Sequence, residues 1–167
     1  VIEDFYIKTL SNATRYDRAS LGFGSTILTD VAKGLDGLID NEGNIRLLIG
    51  EYLDEPELEA IKDGVDLQER QEESLKLLKK VLKENNANSA LNSHRFDLLR
   101  YFIGAKRLEI KYALLSKGVF HDKSGVIYGK NGEKISFQGS GNFTRYGTSY
   151  NWESFNVYFS WMNEIYN

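Results

Sequence analysis

Five residues in the last third of the chain have side chains whose types and spacing could carry chemistry. They are His121, Lys123, Ser140, Asn142 and Glu153. His121 and Lys123 flank Asp122 in a stretch, Val119 to Tyr128, whose alternation predicts a strand. A strand repeats every two residues, so the pair falls on one face. Two groups that can both be cationic repel unless an anion or a carboxylate lies between them. The pair is therefore either a solvated accident or built around something negative. Ser140 and Asn142 lie in Gly139-Ser-Gly-Asn-Phe-Thr144, just past the next predicted strand. Glu153 opens a predicted strand, Trp152 to Phe159, and shares a face with Phe155, Val157 and Phe159. If that face is the core face, Glu153 is a carboxylate at the core edge and needs a donor. An imidazole N–H is a natural partner; it would fix the tautomer and leave the other ring nitrogen free to attack.

Taken singly, these signals are weak. The histidine–lysine spacing arises by chance, Gly139-Ser-Gly-Asn142 reads as an ordinary turn, and an acid at a strand edge is usually surface. Their order, each at a predicted strand end, is what carries weight. Arg145 and Tyr146 follow the turn closely. They could hold phosphate and stack a base, or be plain surface. His94, between Leu91 and Leu98, reads as a packing histidine, and Trp161 as a packing residue. Gly22-Phe-Gly24-Ser25 lacks the Lys-Ser/Thr ending of a P-loop and the third glycine of a dinucleotide fingerprint, so it reads as a structural turn.

The elements that must position these residues follow from periodicity and punctuation. Asp4 to Thr14 is predicted as a helix and Arg15 to Phe23 as a strand. Ser25 to about Ile39 reads as a helix with Ile27, Leu28, Val31, Leu35 and Leu38 on one side. Ile45 to Gly50 is a predicted strand, and Asp54-Glu-Pro56 opens a helix with its proline in the first turn. Leu67 to Glu84 is strongly helical, with the Glu72–Lys76 pair at i,i+4. Asn85 to Ser89 breaks it, and Ala90 to Gly104 resumes a helix. Strands then dominate: Leu108 to Leu115, Val119 to Tyr128, Lys134 to Gln138 and Trp152 to Phe159, with Asn131-Gly132 as a hairpin turn. The early alternation of strand and helix implies parallel pairing in an α/β layer fold.

The 167 residues suit one domain with a sizeable core. Cysteine is absent, which excludes disulfides, thiolate metal sites and a cysteine nucleophile. No run is apolar enough to span a bilayer, and a cytoplasmic location is expected. The net charge of −3 argues against a globally basic nucleic-acid binder. The distribution is uneven, however. Fourteen acidic residues face seven basic ones between Asp36 and Asn85, whereas eight basic face three acidic between Lys106 and Gly147. Local potential steers a polyanion to a site, although strands commonly carry surface lysines. The start at Val1 suggests a domain cut from a longer protein.

The series His121-x-Lys123, Gly139-Ser140-x-Asn142, Asn151-x-Glu153 resembles the phospholipase D superfamily, in its single-motif nuclease branch. The segments "FYIKTLSNATRYDR" (Phe5 to Arg18), "ASLGFGS" (Ala19 to Ser25) and "GNIRLLIG" (Gly43 to Gly50) are similar to the phospholipase-D-like domain at the head of bacterial helicase-linked and restriction proteins. The family's signature Asp falls near Tyr128, which is not acidic. The resemblance implies a single phospholipase-D-like α/β domain over 1–167, a mixed, largely parallel sheet flanked by helices on both faces. It implies a metal-independent, cofactor-free nuclease in which His121 forms a phosphohistidine with a DNA or RNA phosphodiester. Lys123, Ser140 and Asn142 then bind nonbridging oxygens, while Glu153 supports the site. One motif is half a site, so the resemblance also implies a homodimer, and an attached helicase-type region. No partner membrane is expected. A second reading is a nucleic-acid-binding module without turnover, which the missing Asp leaves open. A phospholipid hydrolase is a third, unsupported by any amphipathic basic helix.

Overall fold

The computed structural model describes residues 1–87 and 94–165. The chain opens on a π-helical segment, Ile2–Ile7, that runs into α1 (Lys8–Leu10). Next come β1 (Ala13–Ser20), α2 (Thr26–Asp30), α3 (Ala32–Asp40) and β2 (Asn44–Ile49). The predicted helix from Ser25 is thus two helices, broken at Val31, whose backbone leaves helical geometry. In α4 (Glu55–Asp66), Asp54 caps by accepting from the Glu57 N–H at 3.0 Å, as the Asp-Glu-Pro signal predicts. A 3-10 turn (Leu67–Arg70) leads into α5 (Gln71–Ala87). The expected restart at Ala90 lies outside the described residues; α6 is described over Arg95–Gly104. The rest is β3 (Leu108–Tyr112), β4 (Lys123–Gly129), β5 (Lys134–Gly139) and β6 (Phe155–Phe159). The Asn131-Gly132 hairpin is present, with Gly132 at a φ of +90° that a side chain would resist.

The six strands form one sheet in the order β3-β2-β1-β4-β5-β6. β1, β2 and β3 pair in parallel, while β1–β4, β4–β5 and β5–β6 are antiparallel. The sheet is mixed, as expected, but its parallel character stops at β1. The helices also depart from the expected two-sided arrangement, gathering on one face. Right-handed crossovers that keep stepping the same way, β1 to β2 to β3, place their helices on the same side. The antiparallel half brings only hairpin connections and one helical turn. Burial alternates accordingly. Tyr16, Ile45, Leu47, Ile49, Ile127 and Phe137 face the helices in one core, while Arg46, Leu48, Glu109 and Lys111 face solvent.

Candidate active site

Register brings the loops of interest to one edge of the sheet. Ser20 ends β1 and pairs with Ile49 at the end of β2 and with Lys123 at the head of β4. Gly139 ends β5 and pairs with Phe155 at the head of β6. The turn 21–25 and the loops 113–122 and 140–154 therefore share that edge. Gly139 is required there by close approach: a Cβ would come within 2.2 Å of the Ser154 carbonyl oxygen.

Lys123 is the inward residue at the head of β4 and is buried, whereas His121 precedes the strand and is exposed. The two do not share a strand face, yet they meet. The Lys123 ammonium lies 3.0 Å from His121 Nδ1, 3.2 Å from Nε2 and 3.2 Å from the His121 carbonyl oxygen. Among the described residues, no carboxylate stands between them. Asp122 instead caps the strand head, accepting from the Lys123 N–H at 2.7 Å and the Ser124 hydroxyl at 2.8 Å.

Asn142 Oδ1 accepts from the Gly22 N–H at 3.2 Å. That bond leaves the amide NH2 as the donor free to meet a ligand. Ser20, buried below, donates to the Gly22 carbonyl at 2.6 Å and accepts from the Phe143 N–H at 2.9 Å. The Gly22-Phe-Gly24 turn is thus a structural part of the site: it docks on the 139–144 loop, with the Phe23 and Phe143 rings stacked 6.0 Å apart. Ser140 donates to Glu153 and accepts from the Ser154 N–H at 3.3 Å; the other Glu153 oxygen accepts from Asn151 Nδ2 at 3.2 Å.

Glu153 therefore does not hold the His121 ring, as its position in sequence suggested. It stands ahead of β6, which is two strand spacings, about 10 Å, from β4. Ser140, on the intervening β5 connection, is met first. Lys123 does reach the pocket that Glu153 lines. Arg145 forms a two-pronged pair with Asp30 and also donates to Thr29 at 3.3 Å. The hydrogen bond to Asp30 pushes its guanidinium above its ordinary value. Arg145 so fastens the 140–154 loop to α2. Tyr146 is exposed, its ring 5.4 Å from Tyr150 on the helical turn Tyr146–Tyr150. Tyr128 lies under the Arg15 guanidinium on the open sheet face, 4.4 Å from it. His94 heads α6, 3.7 Å from Asp97.

Two inward residues of β1, Arg18 and Ser20, also belong to the site edge, and no motif marks them. Their only signal is the alternation Tyr16-x-Arg18-x-Ser20, which places them on the face of a core tyrosine. Among the described residues, no three His, Asp or Glu side chains converge in a way that could hold a metal ion. No helix among them is long and apolar enough to cross a membrane.

No family model and no curated protein matches the chain. Solved structures do. The chain is similar to yeast tyrosyl-DNA phosphodiesterase. The match has 11% identity and a TM-score of 0.48, and covers 88% of this chain and 26% of that one. A mutant form of yeast tyrosyl-DNA phosphodiesterase 1 gives the same score and identity, with 25% of its chain covered. The chain thus spans about a quarter of those proteins, and the likeness is one of chain path. Chemistry at the sheet edge is decided by the side chains gathered there.

Proposed function

We propose that this chain is a metal-independent phosphodiesterase of the phospholipase D superfamily, acting on DNA as a homodimer. The observation that carries this reading is the Lys123 ammonium against the His121 imidazole, at the edge where Ser140, Asn142 and Glu153 also gather. A ring nitrogen of His121 attacks phosphorus, the phosphorus–oxygen bond to the leaving group breaks, and a phosphohistidine forms. Lys123 and the Asn142 amide donate to the nonbridging oxygens as their charge grows. Ser140 has one proton and directs it at Glu153, so a bound phosphate must draw that hydroxyl away. A second imidazole protonates the leaving oxygen, then takes a proton from water as it attacks phosphorus and releases His121.

That second imidazole comes, in this reading, from a second copy. Supporting it, Leu114, Leu115 and Val119 ahead of His121 and Trp152 beside Glu153 are exposed around the half-site. DNA as substrate is supported by the basic balance of the 106–147 stretch and by the exposed Tyr146–Tyr150 pair. A helicase-type region attached in a longer protein belongs to the same reading. Incubation with single- and double-stranded DNA in EDTA, beside His121→Ala, tests it. Cleavage is expected to persist in EDTA and vanish in the variant; the opposite pattern ends the proposal. A single His-x-Lys motif per chain also favours a second reading, a binding module that recruits attached machinery. Salt-sensitive DNA binding with no cleavage under any condition is its signature.

A further inference from the structure

Arg18 takes no part in the phosphoryl transfer assigned to His121, Lys123, Ser140 and Asn142. It is 4% exposed, on the inward face of β1 between Tyr16 and Ser20. Its guanidinium carbon lies 5.1 Å from the Phe137 ring centre and 6.0 Å from that of Phe143. Nη2 donates to the Gly141 carbonyl at 2.6 Å, and Nε is buried without a partner. No carboxylate pairs with Arg18 among the described residues. The neighbouring phenols of Tyr6 and Tyr16 do not neutralise it, because burial pushes both upward and keeps them protonated. Aromatic faces attract a cation but leave its charge in place. Arginines are almost never buried unless paired, and an unpaired buried charge is costly.

The same small pocket, about 30 Å³, is lined by Arg18, Lys123, Gly139, Gly141 and Glu153. Two cations thus face one carboxylate, and Glu153 is already engaged by Ser140 and Asn151. The missing charge is that of an anion. Arg18 also grips Gly141, the residue between Ser140 and Asn142.

We propose that Arg18 is a positioning residue for a tetrahedral oxyanion. It fixes the Gly141 carbonyl so that the side chains of Ser140 and Asn142 converge, and its unpaired charge adds to that of Lys123. This rests on reading the edge as a phosphodiester site.

Inorganic tungstate, a tetrahedral dianion, is the probe, titrated calorimetrically into the whole chain. Arg18→Met keeps the stem and removes the charge, a change that buried ion sites often tolerate. It is expected to unfold near the wild-type temperature yet bind tungstate about tenfold more weakly or worse, as loss of a charged donor implies. Arg18→Lys, which keeps the charge without the fork, falls between the two. If Arg18→Met does not fold, Arg18→Gln, which keeps a donor for Gly141, carries the test with the same expected direction. Wild-type affinity in Arg18→Met or Arg18→Gln overturns the proposal, as does a wild type that takes up no tungstate at millimolar concentration. DNA cleavage is scored separately. Tungstate binding that depends on Arg18 without any cleavage upholds this inference and sinks the phosphodiesterase reading. Cleavage by wild type with both affinity and rate unchanged in Arg18→Met does the reverse.

Discussion

An ammonium has three donors and no acceptor, so the Lys123–His121 contact requires a lone pair on the imidazole. A bound phosphate then competes with the ring for the same ammonium. Lys123→Ala is expected to weaken DNA binding across sequences and to lower the slope of log affinity against log salt by about 1. Filter binding at several salt concentrations checks it; an unchanged slope removes Lys123 from the phosphate site. Ser20 offers a second test at this scale. Its hydroxyl is the acceptor for the buried Phe143 N–H, and Ser20→Ala leaves that donor without one. The cost is expected at about 1–3 kcal/mol in urea unfolding, with cleavage falling further as the Asn142 loop loosens. His121, Lys123, Ser140, Asn142 and Glu153 could be proposed from the sequence because each lies in a short motif. Arg18 and Ser20 could not, because a lone charge in a strand says nothing of its face until the register is known.

Most elements could be read from periodicity, but their ends could not. Strands predicted from Val119 and Trp152 begin at Lys123 and Phe155. Propensity continues past the point where a neighbouring strand stops offering hydrogen bonds, and Ser20 and Gly139 are those stops. This moved both His121 and Glu153 off their strands and into loops, changing which partners each could reach. Sheet coverage was likewise set by strand order, which no local pattern carries. The open face that results needs its charges paired, and Asp17 receives both Arg15 and Arg46 there. Burial raises the Asp17 carboxyl, but hydrogen bonds from Arg46 and Arg15 outweigh it and hold it at about 2, below the ordinary 3.8. A depressed carboxyl stabilises above its unfolded value, so this contribution is full above about pH 5 and lost as pH falls toward 2. Because the arginines are well exposed, Asp17→Asn is expected to remove only about 1 kcal/mol at neutral pH. It should also flatten the fall in thermal stability between about pH 5 and 2; a variant with the wild-type acid profile shows that Asp17 is not its source.

At the scale of the molecule, the proposed reaction needs a second imidazole, while each chain carries one His-x-Lys motif and exposes Leu114, Leu115, Val119 and Trp152 in the loops at the same sheet edge. A twofold axis through the edge would set two His121 rings across one phosphate and cover Leu114, Leu115, Val119 and Trp152 together. In such a site each ring has a different duty in a given turnover, so a mixed dimer with one His121→Ala subunit has either an attacker or an acid, never both. The consequence can be measured by mixing. Wild type and His121→Ala, combined at fixed total concentration and left to exchange subunits, should cleave DNA in proportion to the square of the wild-type fraction. Sedimentation across a range of concentrations establishes that the chains pair under the same conditions. A linear dependence, or a protein that stays monomeric while cleaving, means that each chain completes its own site. The second proton-transfer group must then be sought on the same chain.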